Sequence, residues 1–422
     1  MARFRLYTLA LFAALLVLTG RSAQAQTFGV ETHNTLMPAS GAMAGASIAR
    51  PQDLTSAING NPASITQFKG TQFIFGGAWA EPTFNLTQTA PIPIIGPSLI
   101  DPFSAKSTAP GTPGGNIGIT QELNEYGLPV TLGMGFVTTG GGMVDFRHVP
   151  ESHGTNSGLV IFSMPVTIGI DVTERLSLGA SAAMGIAFFD GPFVGIGGMT
   201  PDYALRGTLG ANYRLTDFTT VGAYYQSEQS FRFDNAFVLN PGVGQTSTDV
   251  NVQLPQNLGF GLGNDALMEG NLLLAVDVLY KMWDDADLFK AIYNNQWVVQ
   301  FGTQYSIGNY RLRAGYAWAQ NPLDDSPGPN LGGVIQPGGL RAVRYSQGLM
   351  AVTSQHRISG GIGMIDVLPG VDMDFMAGGM FRDSQQLGDA TQTSIASYWV
   401  GFGLTWRFGR GSCCDSQCST GE

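Results

Sequence analysis

The sequence predicts an all-β protein, a 14-stranded antiparallel transmembrane β-barrel with an N-terminal plug inside the lumen. Three observations predict this fold. Side chains alternate in type along about fourteen segments, the connections between segments alternate in length, and charged residues are scarce. Asp, Glu, Lys and Arg make up 12% of the 422 residues, about half the usual share, and 58 residues are Gly. A surface that faces water on every side is therefore not expected.

Alternation is clearest in the last segment. Tyr398, Phe402 and Phe408 share one face with other apolar residues, while Gly401 and Thr405 belong to a face of mostly small or polar residues. Strands show this two-faced pattern when one face contacts lipid and the other faces a lumen. A soluble sandwich also alternates, but its outward face carries Lys, Glu, Ser and Thr.

Fourteen such segments can be counted. They begin near Phe73, Gly115, Pro129, Gly158, Leu176, Leu205, Thr219, Asp249, Asn271, Trp297, Tyr310, Arg357, Val371 and Ser394. Connections that are alternately short and long match the short periplasmic turns and long outer loops of outer-membrane barrels. The last long connection is expected over 383–391. We assign the barrel to 71–409.

The N-terminus predicts export. Arg3 and Arg5 precede an apolar stretch that ends at Leu18, and Ala23-Gln24-Ala25 supplies small residues for cleavage. We assign residues 1–25 to a signal peptide cleaved after Ala25, which places the mature chain in the outer membrane of a Gram-negative cell. No later apolar run reaches the 18 residues that a membrane helix needs.

Residues 26–70 lack the alternation of a lipid-facing strand and contain many small residues with Gly and Pro. Short helical turns of this composition can pack inside a tube. A disordered periplasmic tail is the alternative, but it would be more polar and more charged. The expectation is a plug whose key positions are Ser40, Gly41, Gly45, Asn61, Pro62 and Ala63.

Several function classes are disfavoured. The net charge of −10 argues against nucleic acid as a partner. The four histidines suggest no catalytic pair, and a metal site at His148 and His153 is a weaker interpretation than solvated loop polarity. Cys413, Cys414 and Cys418 fall in 410–422, interpreted as a periplasmic tail. We expect no enzyme activity, no metal and no cofactor.

Charged residues at lumen-facing positions are expected to pair with one another and to hold the plug, because buried charges need partners. By alternation this set comprises Arg206, Glu228, Arg232, Asp277, Arg313, Asp374 and Arg407.

Several motifs together resemble the FadL/TodX family of outer-membrane transporters for hydrophobic compounds. The stretch from Ser40 to Ala49, then Asp53 and Asn61-Pro62-Ala63, is similar to that family's plug. Tyr224 to Glu228 and Arg311 to Ala317 look like its strands. The resemblance runs in the same order over nearly the whole mature chain.

The resemblance implies a fourteen-stranded plugged barrel that captures a hydrophobic molecule at its outer loops and releases it sideways at a kinked third strand. Gly140, Gly141 and Gly142 would supply the break in that strand; a flexible loop at the strand end is the alternative. Ligand would be captured by residues of the third and fourth outer loops, which look short for the family. These residues are Phe193, Val194, Ile196, Met199, Phe237, Val238 and Leu239.

A ligand carboxylate could be received by one of three arginines, Arg206, Arg313 or Arg407. The resulting hypothesis is a monomer in outer-membrane lipid that passively admits long-chain fatty acids or other hydrophobic compounds, such as aromatic hydrocarbons. The alternatives are a structural or adhesive barrel with a permanently closed plug and a general porin for polar solutes.

Overall fold

The computed structural model describes residues 30–95, 98–190, 200–239, 246–331, 334–336 and 338–408. The barrel strands are β1 Thr71–Gln88, β2 Thr112–Glu122, β3 Val130–Asp145, β4 Asn156–Asp171, β5 Leu176–Asp190, β6 Thr200–Arg214, β7 Thr219–Gln226, β8 Gln256–Leu267, β9 Leu272–Met282, β10 Gln296–Ile307, β11 Tyr310–Ala319, β12 His356–Leu368, β13 Val371–Leu387 and β14 Thr391–Phe408. The predicted signal peptide and the cysteine tail lie outside the described residues.

These fourteen strands form a closed antiparallel barrel, which confirms the predicted fold class. Each barrel strand pairs with its neighbours in sequence, and β14 pairs with β1 from Thr71↔Phe408 to Gln88↔Thr391. The long seam joins the two ends of the sheet, so the barrel has no open edge along it.

Alternate side chains of the wall point to opposite faces. In β14, Tyr398 and Phe402 are 51% and 42% exposed on the outside. Trp399 lies on the inside, buried against Leu36 and Ala42 of the N-terminal segment. The alternation read from the sequence therefore describes a wall with an apolar outer face and an inner face that contacts a plug.

Short turns join the strands at one end of the barrel and longer segments join them at the other. The turns are 123–129, 172–175, 215–218, 268–271, 308–309 and 369–370. The predicted long connection over 383–391 was wrong, because β13 continues to Leu387 and β14 begins at Thr391. The residues at these strand ends are mostly polar, so the alternation of apolar residues did not indicate that they pair.

The plug fills the lumen with short helical elements. A 3₁₀ helix at Gly41–Met43, the α-helix α1 at Leu54–Asn59 and a second 3₁₀ helix at Pro62–Gln67 precede β1. Their side chains are nearly all buried. Short 3₁₀ helices also occupy Asn124–Tyr126, Pro150–Ser152, Met268–Gly270, Trp283–Asp285 and Phe289–Ala291.

The eighth strand begins later than predicted. Asp249 lies on a separate hairpin, Gln229–Leu239 with Thr246–Leu254, and β8 starts at Gln256. Pro255 stands between the two, and a proline cannot donate the backbone hydrogen bond that a continuous strand needs. The fourth outer connection is thus a hairpin rather than a short loop.

The longer connections fold together into an outer cap, defined here by its described residues, 92–95, 98–106, 229–239, 246–254, 283–295, 323–331, 334–336 and 338–351. Their apolar side chains share one buried cluster with the inner face of the nearby strands. Trp283, Phe289 and Tyr293 pack ring against ring within it. The helix α2, Gly339–Leu349, contributes Val343 and Tyr345 to the same cluster. Short pairs at Ile92–Ile95 with Ser98–Ile100 and Asn330–Leu331 with Val334–Ile335, and the strand Phe103–Lys106 beside β1, complete the outer segments.

Candidate functional site: the plug and the third strand

A single carboxylate organises the plug. Asp53 is buried, and its Oδ2 accepts the backbone N–H groups of Ala39 and Ser40 at 3.1 and 2.8 Å. Its Oδ1 accepts the N–H and hydroxyl of Ser56 and the hydroxyl of Thr55, each at 2.8 Å. Asp53 is therefore both the N-cap of α1 and the tie between α1 and the preceding turn.

The Asn61-Pro62-Ala63 element fastens the plug to the wall. The Asn61 side-chain amide donates to the Ile48 carbonyl at 3.0 Å and to the Asn212 side chain of β6 at 2.7 Å. Its oxygen accepts the Ala63 N–H at 3.1 Å, which starts the second 3₁₀ helix with Pro62 in its first turn. Each Asn61 hydrogen-bonding group is thus used either within the plug or against the barrel.

Glycine residues of the wall lie directly against this element. A Cβ on Gly179 of β5 would overlap the backbone of Pro62 and Ala63, and a Cβ on Gly210 of β6 would overlap the Asn61 side-chain oxygen. These glycines permit the plug backbone to lie directly on the strands. A side chain at either position would push the element away from the wall.

The other predicted plug positions lie in the same assembly. The Ser40 hydroxyl accepts the Gln52 N–H at 3.1 Å, and Gly41 lies against the Thr35 carbonyl and Met376 of β13. Gly45 has a left-handed backbone with φ +89°. On the opposite wall, Asp277 of β9 accepts the backbone N–H of Ile48 at 2.9 Å.

β3 departs from β2 before it ends. The register of the two strands ends at Asn116↔Val137, whereas β3 continues to Asp145 in register with β4. The Gly115 N–H donates to the Thr138 hydroxyl at 3.0 Å just above the last pair.

The two edges meet again at the outer end. The Thr108 N–H donates to the Asp145 carbonyl at 2.9 Å. The interval of wall between the Gly115–Thr138 contact and the Thr108–Asp145 contact is called the wall window below.

A β-bulge coincides with this departure. The register of β3 with β4 shifts between Thr138 and Gly140. Below the bulge, odd-numbered residues such as Gly133 face the plug, while above it even-numbered residues such as Val144 enter the outer cluster. The extra residue therefore exchanges the inner and outer faces of the strand.

The N-terminal residues of the plug cover the window from inside. Glu31 forms an antiparallel bridge with Gly140, the Thr32 N–H donates to the Thr139 carbonyl at 2.9 Å, and the Gly141 N–H donates to the Val30 carbonyl at 2.7 Å. Residues 30–32 thus form a short extended segment, called the covering strand below. It supplies hydrogen-bond partners to the edge of β3 that β2 has left.

The predicted triple glycine lies at this bridge. A Cβ on Gly140 would come within 2.6 Å of the Val30 carbonyl oxygen, and Gly141 has φ +147°, which side chains disfavour. Gly142 continues the same edge. Glycine here permits both the bulge and the close approach of the covering strand. No loop lies at these positions, because β3 continues to Asp145.

Three buried charges tie that strand across the lumen. Glu31 pairs with Arg206 of β6 at 2.6 Å and with Lys281 of β9 at 2.5 Å. Asn257 of β8 also donates to the Glu31 carboxylate, at 3.1 Å. Burial acts to raise the pKa of Glu31, but the two cations outweigh it and hold that pKa at about 2. Burial, with Lys281, lowers the pKa of His33 to about 3, so His33 is neutral.

A polar cavity adjoins these charges. Glu31, His33, Thr139, Arg206 and Asn257 line it together with residues of β4 and β5. A second cavity lies at the window itself and is lined by Thr32, Leu36, Thr112, Gly114, the three glycines of β3 and Leu159.

The predicted arginines occupy three different environments. Arg206 also donates to the carbonyls of Ser227 and Pro255. Arg313 of β11 is buried with Asp374 of β13, and Arg407 lies at the turn end of the barrel, near Asp366 and Asp372.

Two members of the predicted lumen set lie elsewhere. Glu228 is exposed beside the outer hairpin, and Arg232 on that hairpin pairs with Asp249 in an exposed position. Both were assigned to the lumen by extending the alternation of β7 past its last residue, Gln226.

The predicted ligand-capture residues are not all described. Phe193, Val194, Ile196 and Met199 lie outside the described residues, and the side chains of Phe237, Val238 and Leu239 are likewise outside them, although the backbone of 237–239 belongs to the outer hairpin. Sequence reasoning did not single out Glu31 or Lys281. For Glu31, the available signal was its charge in an N-terminal segment that otherwise has few charged residues.

Within the described ranges, no group of three or more His, Cys, Asp or Glu side chains could hold a metal ion. No helix in the described part of the chain is long and apolar enough to cross a membrane.

Solved structures provide the comparison. The Pseudomonas putida toluene transporter TodX matches with a TM-score of 0.60 and 15% identity, covering 84% of this chain and 94% of TodX. The CymD monoaromatic hydrocarbon channel matches with a TM-score of 0.56 and 17% identity, covering 90% and 98%. A Pseudomonas aeruginosa FadL homologue matches with a TM-score of 0.59 and 14% identity, covering 92% and 100%.

No family model matches this sequence, and no curated protein does. At identities of 14–17%, the matches speak to the arrangement of the chain. The chain therefore has the barrel fold of TodX, CymD and the FadL homologue, which confirms the FadL/TodX resemblance of its sequence at the level of the fold.

Proposed function

We propose that the mature chain is a monomeric outer-membrane channel of the FadL family for the passive uptake of hydrophobic compounds. Residues 1–25 would be removed after Ala25 on export, 26–70 would serve as the plug, 71–409 as the barrel and 410–422 as a periplasmic tail. Long-chain fatty acids and aromatic hydrocarbons are the candidate substrates. The proposal involves no enzymatic step, cofactor or metal.

The wall window carries the proposal. It is an interval where β2 and β3 separate and where the covering is a three-residue strand, Val30 to Thr32, rather than a barrel strand. Moving that strand would open the lumen sideways into the membrane without breaking any other strand pair. The resulting route would spare a hydrophobic molecule the polar cavity around Asn59 and Ser181.

The outer cap supports the first part of the route. Its buried cluster is rich in aromatic and aliphatic side chains and includes Val30, so it extends to the covering strand. Transfer of a ligand into such surroundings is favourable by about 25 cal/mol per Å² of apolar surface. The apolar residues around positions 193–199 and 237–239 are the proposed point of capture. The structural or adhesive barrel remains the alternative.

The functions of the structurally similar proteins support a hydrophobic substrate. TodX is a toluene transporter and CymD a monoaromatic hydrocarbon channel. A shared fold makes a hydrophobic ligand the first choice for this chain.

Locking the window tests this route. We expect a disulfide between Thr32→Cys and Thr139→Cys to reduce uptake at least tenfold, because these residues face each other where the covering strand pairs with β3. The background would carry Ser at positions 413, 414 and 418. Uptake of radiolabelled oleate and toluene into outer-membrane vesicles would be measured before and after reduction with dithiothreitol, which should restore it.

The matched control is a disulfide between Thr303→Cys and Ala314→Cys, a pair in the intact wall between β10 and β11, which should leave uptake unchanged. Uptake that persists through the oxidised window would rule out lateral exit. Uptake of both compounds no greater than in vesicles without the protein would favour the structural or adhesive barrel.

A further inference from the structure

The barrel wall is taller on one side than on the other. β1, β13 and β14 have 18, 17 and 18 residues, whereas β9, β10 and β11 have 11, 12 and 10. The three short strands end within two residues of their outer aromatic side chains, Tyr280, Trp297 and Trp318. β1 and β14 continue past Trp79 and Tyr398 for roughly 25 Å of strand.

The two faces of this tall wall exchange character above Trp79. Below it, the outer face carries Phe75 of β1 and Phe402 of β14, with ring centroids 6.5 Å apart. Above it, apolar side chains such as Phe84 and Ile395 point inward and are buried in the cluster of the outer cap. The outer face there is mostly polar, and its polar side chains, called the polar wall face below, are Thr83, Asn85, Thr87, Ser104, Ser384, Gln386, Gln392 and Ser394. Hydrocarbon tails therefore cover the wall below Trp79, and the polar wall face lies at the level of lipid head groups.

Strand pairing places these polar side chains next to one another. Asn85 pairs with Ser394 on one side and with Lys106 on the other. The Asn85 amide donates to the Ser394 hydroxyl at 3.1 Å, and the hydroxyls of Thr87 and Ser104 are 2.7 Å apart. Hydroxyl and amide groups have more than one donor or acceptor position, so each retains capacity for an external partner. Repeated at the strand spacing of about 4.8 Å, they suit the closely spaced hydroxyls of a sugar.

Two exposed cations border the polar wall face. Lys106 stands at one border, and Arg382 stands at the other, at the bulge of β13 two residues before Ser384. Neither has an ion-pair partner among the described residues. Other exposed cations of the outer end each pair with an aspartate, namely Arg147, Arg232, Lys290 and Arg341.

The carboxylates nearest to this face are already engaged. Glu81 accepts the indole N–H of Trp79 at 2.9 Å, and Asp383 accepts the backbone N–H of Ser384 at 2.9 Å. A chain of net charge −10 thus presents two positive charges here that are available to an external anion. Lysine binds phosphate as a point charge, and arginine binds it in a bidentate manner.

The separation of the two cations restricts the kind of anion. The strand of Lys106 and the strand of Arg382 are three strand spacings apart across β1 and β14, which is about 14 Å. One phosphate group cannot contact both side chains over that span without drawing them together. A head group with several sugars and more than one phosphate can.

We propose that the polar wall face docks the phosphorylated sugar head group of an outer-leaflet glycolipid of the lipopolysaccharide class, with Lys106 and Arg382 each on a phosphate. The acyl chains of this lipid would lie below, on Phe75 and Phe402. The inference rests on the proposed function, because it takes the chain to lie in the outer membrane. It adds a specific lipid partner, held on one side of the barrel.

Binding of three lipids tests this docking. The full mature chain in detergent micelles would be titrated with bisphosphorylated lipid A, with lipid A stripped of both phosphates and with phosphatidylglycerol, and bound lipid would be counted by native mass spectrometry. We expect bisphosphorylated lipid A to bind at least tenfold more tightly than either of the others. Removing both cations, Lys106→Gln with Arg382→Gln, should weaken its binding at least tenfold and should change binding of the stripped lipid less than twofold.

The matched control removes two exposed cations at the opposite end of the barrel. Arg175→Gln with Arg214→Gln changes the net charge by the same amount, and neither arginine has an ion-pair partner among the described residues. This variant should bind all three lipids as the unchanged chain does. Unaltered heat-dependent gel migration would establish that both double variants are folded barrels.

The contribution of the sugar contacts is tested separately. Asn85→Leu with Ser394→Ala removes the central amide and hydroxyl of the polar wall face and leaves both cations in place. The preference for bisphosphorylated lipid A over phosphatidylglycerol should fall to less than threefold, because the sugar hydroxyls lose their partners.

Three results would overturn the proposal. They are an unchanged lipid A affinity after loss of Lys106 and Arg382, an equal loss of affinity in the control at Arg175 and Arg214, and equal binding of lipid A and phosphatidylglycerol by the unchanged chain. The last result would indicate general attraction to anionic lipid. None of them bears on transport, since uptake of toluene and its block by the window disulfide should be observed whether or not the glycolipid docks.

Discussion

The Gly210→Val variant should form a folded barrel whose plug no longer seats against the wall. A Cβ at this position would overlap the Asn61 side-chain oxygen and lie 2.8 Å from Pro62 Cδ. Asn61 has little room to retreat because its amide is held by Ile48 and Asn212. Overpacking of about 1–3 kcal/mol, with the loss of at least one hydrogen bond of about 1 kcal/mol, corresponds to roughly a hundredfold shift toward an open plug.

Conductance in a planar bilayer measures this shift directly, because an open lumen conducts ions. Gly207→Val is the matched control on the same strand, since a Cβ there meets nothing within 4 Å. Both variants should show the same heat-dependent gel migration as folded barrels. If Gly210→Val is folded and conducts no more than Gly207→Val, the element around Asn61 does not depend on the glycine wall.

Loss of the Asp53 carboxylate is expected to disorganise the plug from within. Asp53→Ala leaves the N–H groups of Ala39, Ser40 and Ser56 without their acceptor in a buried site. Each unsatisfied buried group costs about 1–3 kcal/mol, so a destabilisation of at least about 3 kcal/mol is expected. Trypsin or proteinase K should then cleave the plug at least tenfold faster while the barrel resists.

Two further substitutions serve as controls for the cleavage rate of Asp53→Ala. Asp53→Asn retains one oxygen acceptor and should have an intermediate cleavage rate. Asp265→Ala removes a partly exposed ion pair with Arg50 near the same plug and should have little effect, because such pairs contribute about 0–1 kcal/mol. Equal protection of Asp53→Ala and the unchanged chain would contradict the role assigned to Asp53.

Periodicity was sufficient to predict most of the wall. The alternation of apolar and small residues in β14, and the shortness of turns such as 308–309, are properties of neighbouring residues in one chain. They report the two faces of a strand without knowledge of its partners. For the same reason, the strand starts near Leu176, Thr219, Tyr310 and Val371 agree with the structure.

Long-range geometry limited the prediction elsewhere. The bulge after Thr138 exchanges the faces of β3, and it lies where the segment of Val30 and Glu31 approaches Gly140. The hairpin beyond Gln226 was misread because its own alternation continues that of β7. The bulge lies at a contact between residues far apart in sequence, which a local pattern does not contain, whereas the break before β8 is marked in the sequence by Pro255.

The site was predicted only in part, because some of its contacts join residues far apart in sequence. The sequence motif drew attention to Asn61 and to the glycines at 140–142, which lie where the plug meets the wall. It gave no reason to connect Glu31 with Lys281, because 250 residues separate them and their pairing depends on closure of the barrel.

The seating of the plug connects distant parts of the barrel wall. The Asn61 element rests on β5 and β6, Ile48 is held by Asp277 of β9, and Gly41 lies against β13. One short N-terminal stretch thus contacts strands spread from β5 to β13 around the wall, while the seam between β1 and β14 joins the first strand to the last. The N-terminal segment therefore cross-links strands that are not neighbours in the sheet, and the wall should resist deformation more than strand pairing alone would allow.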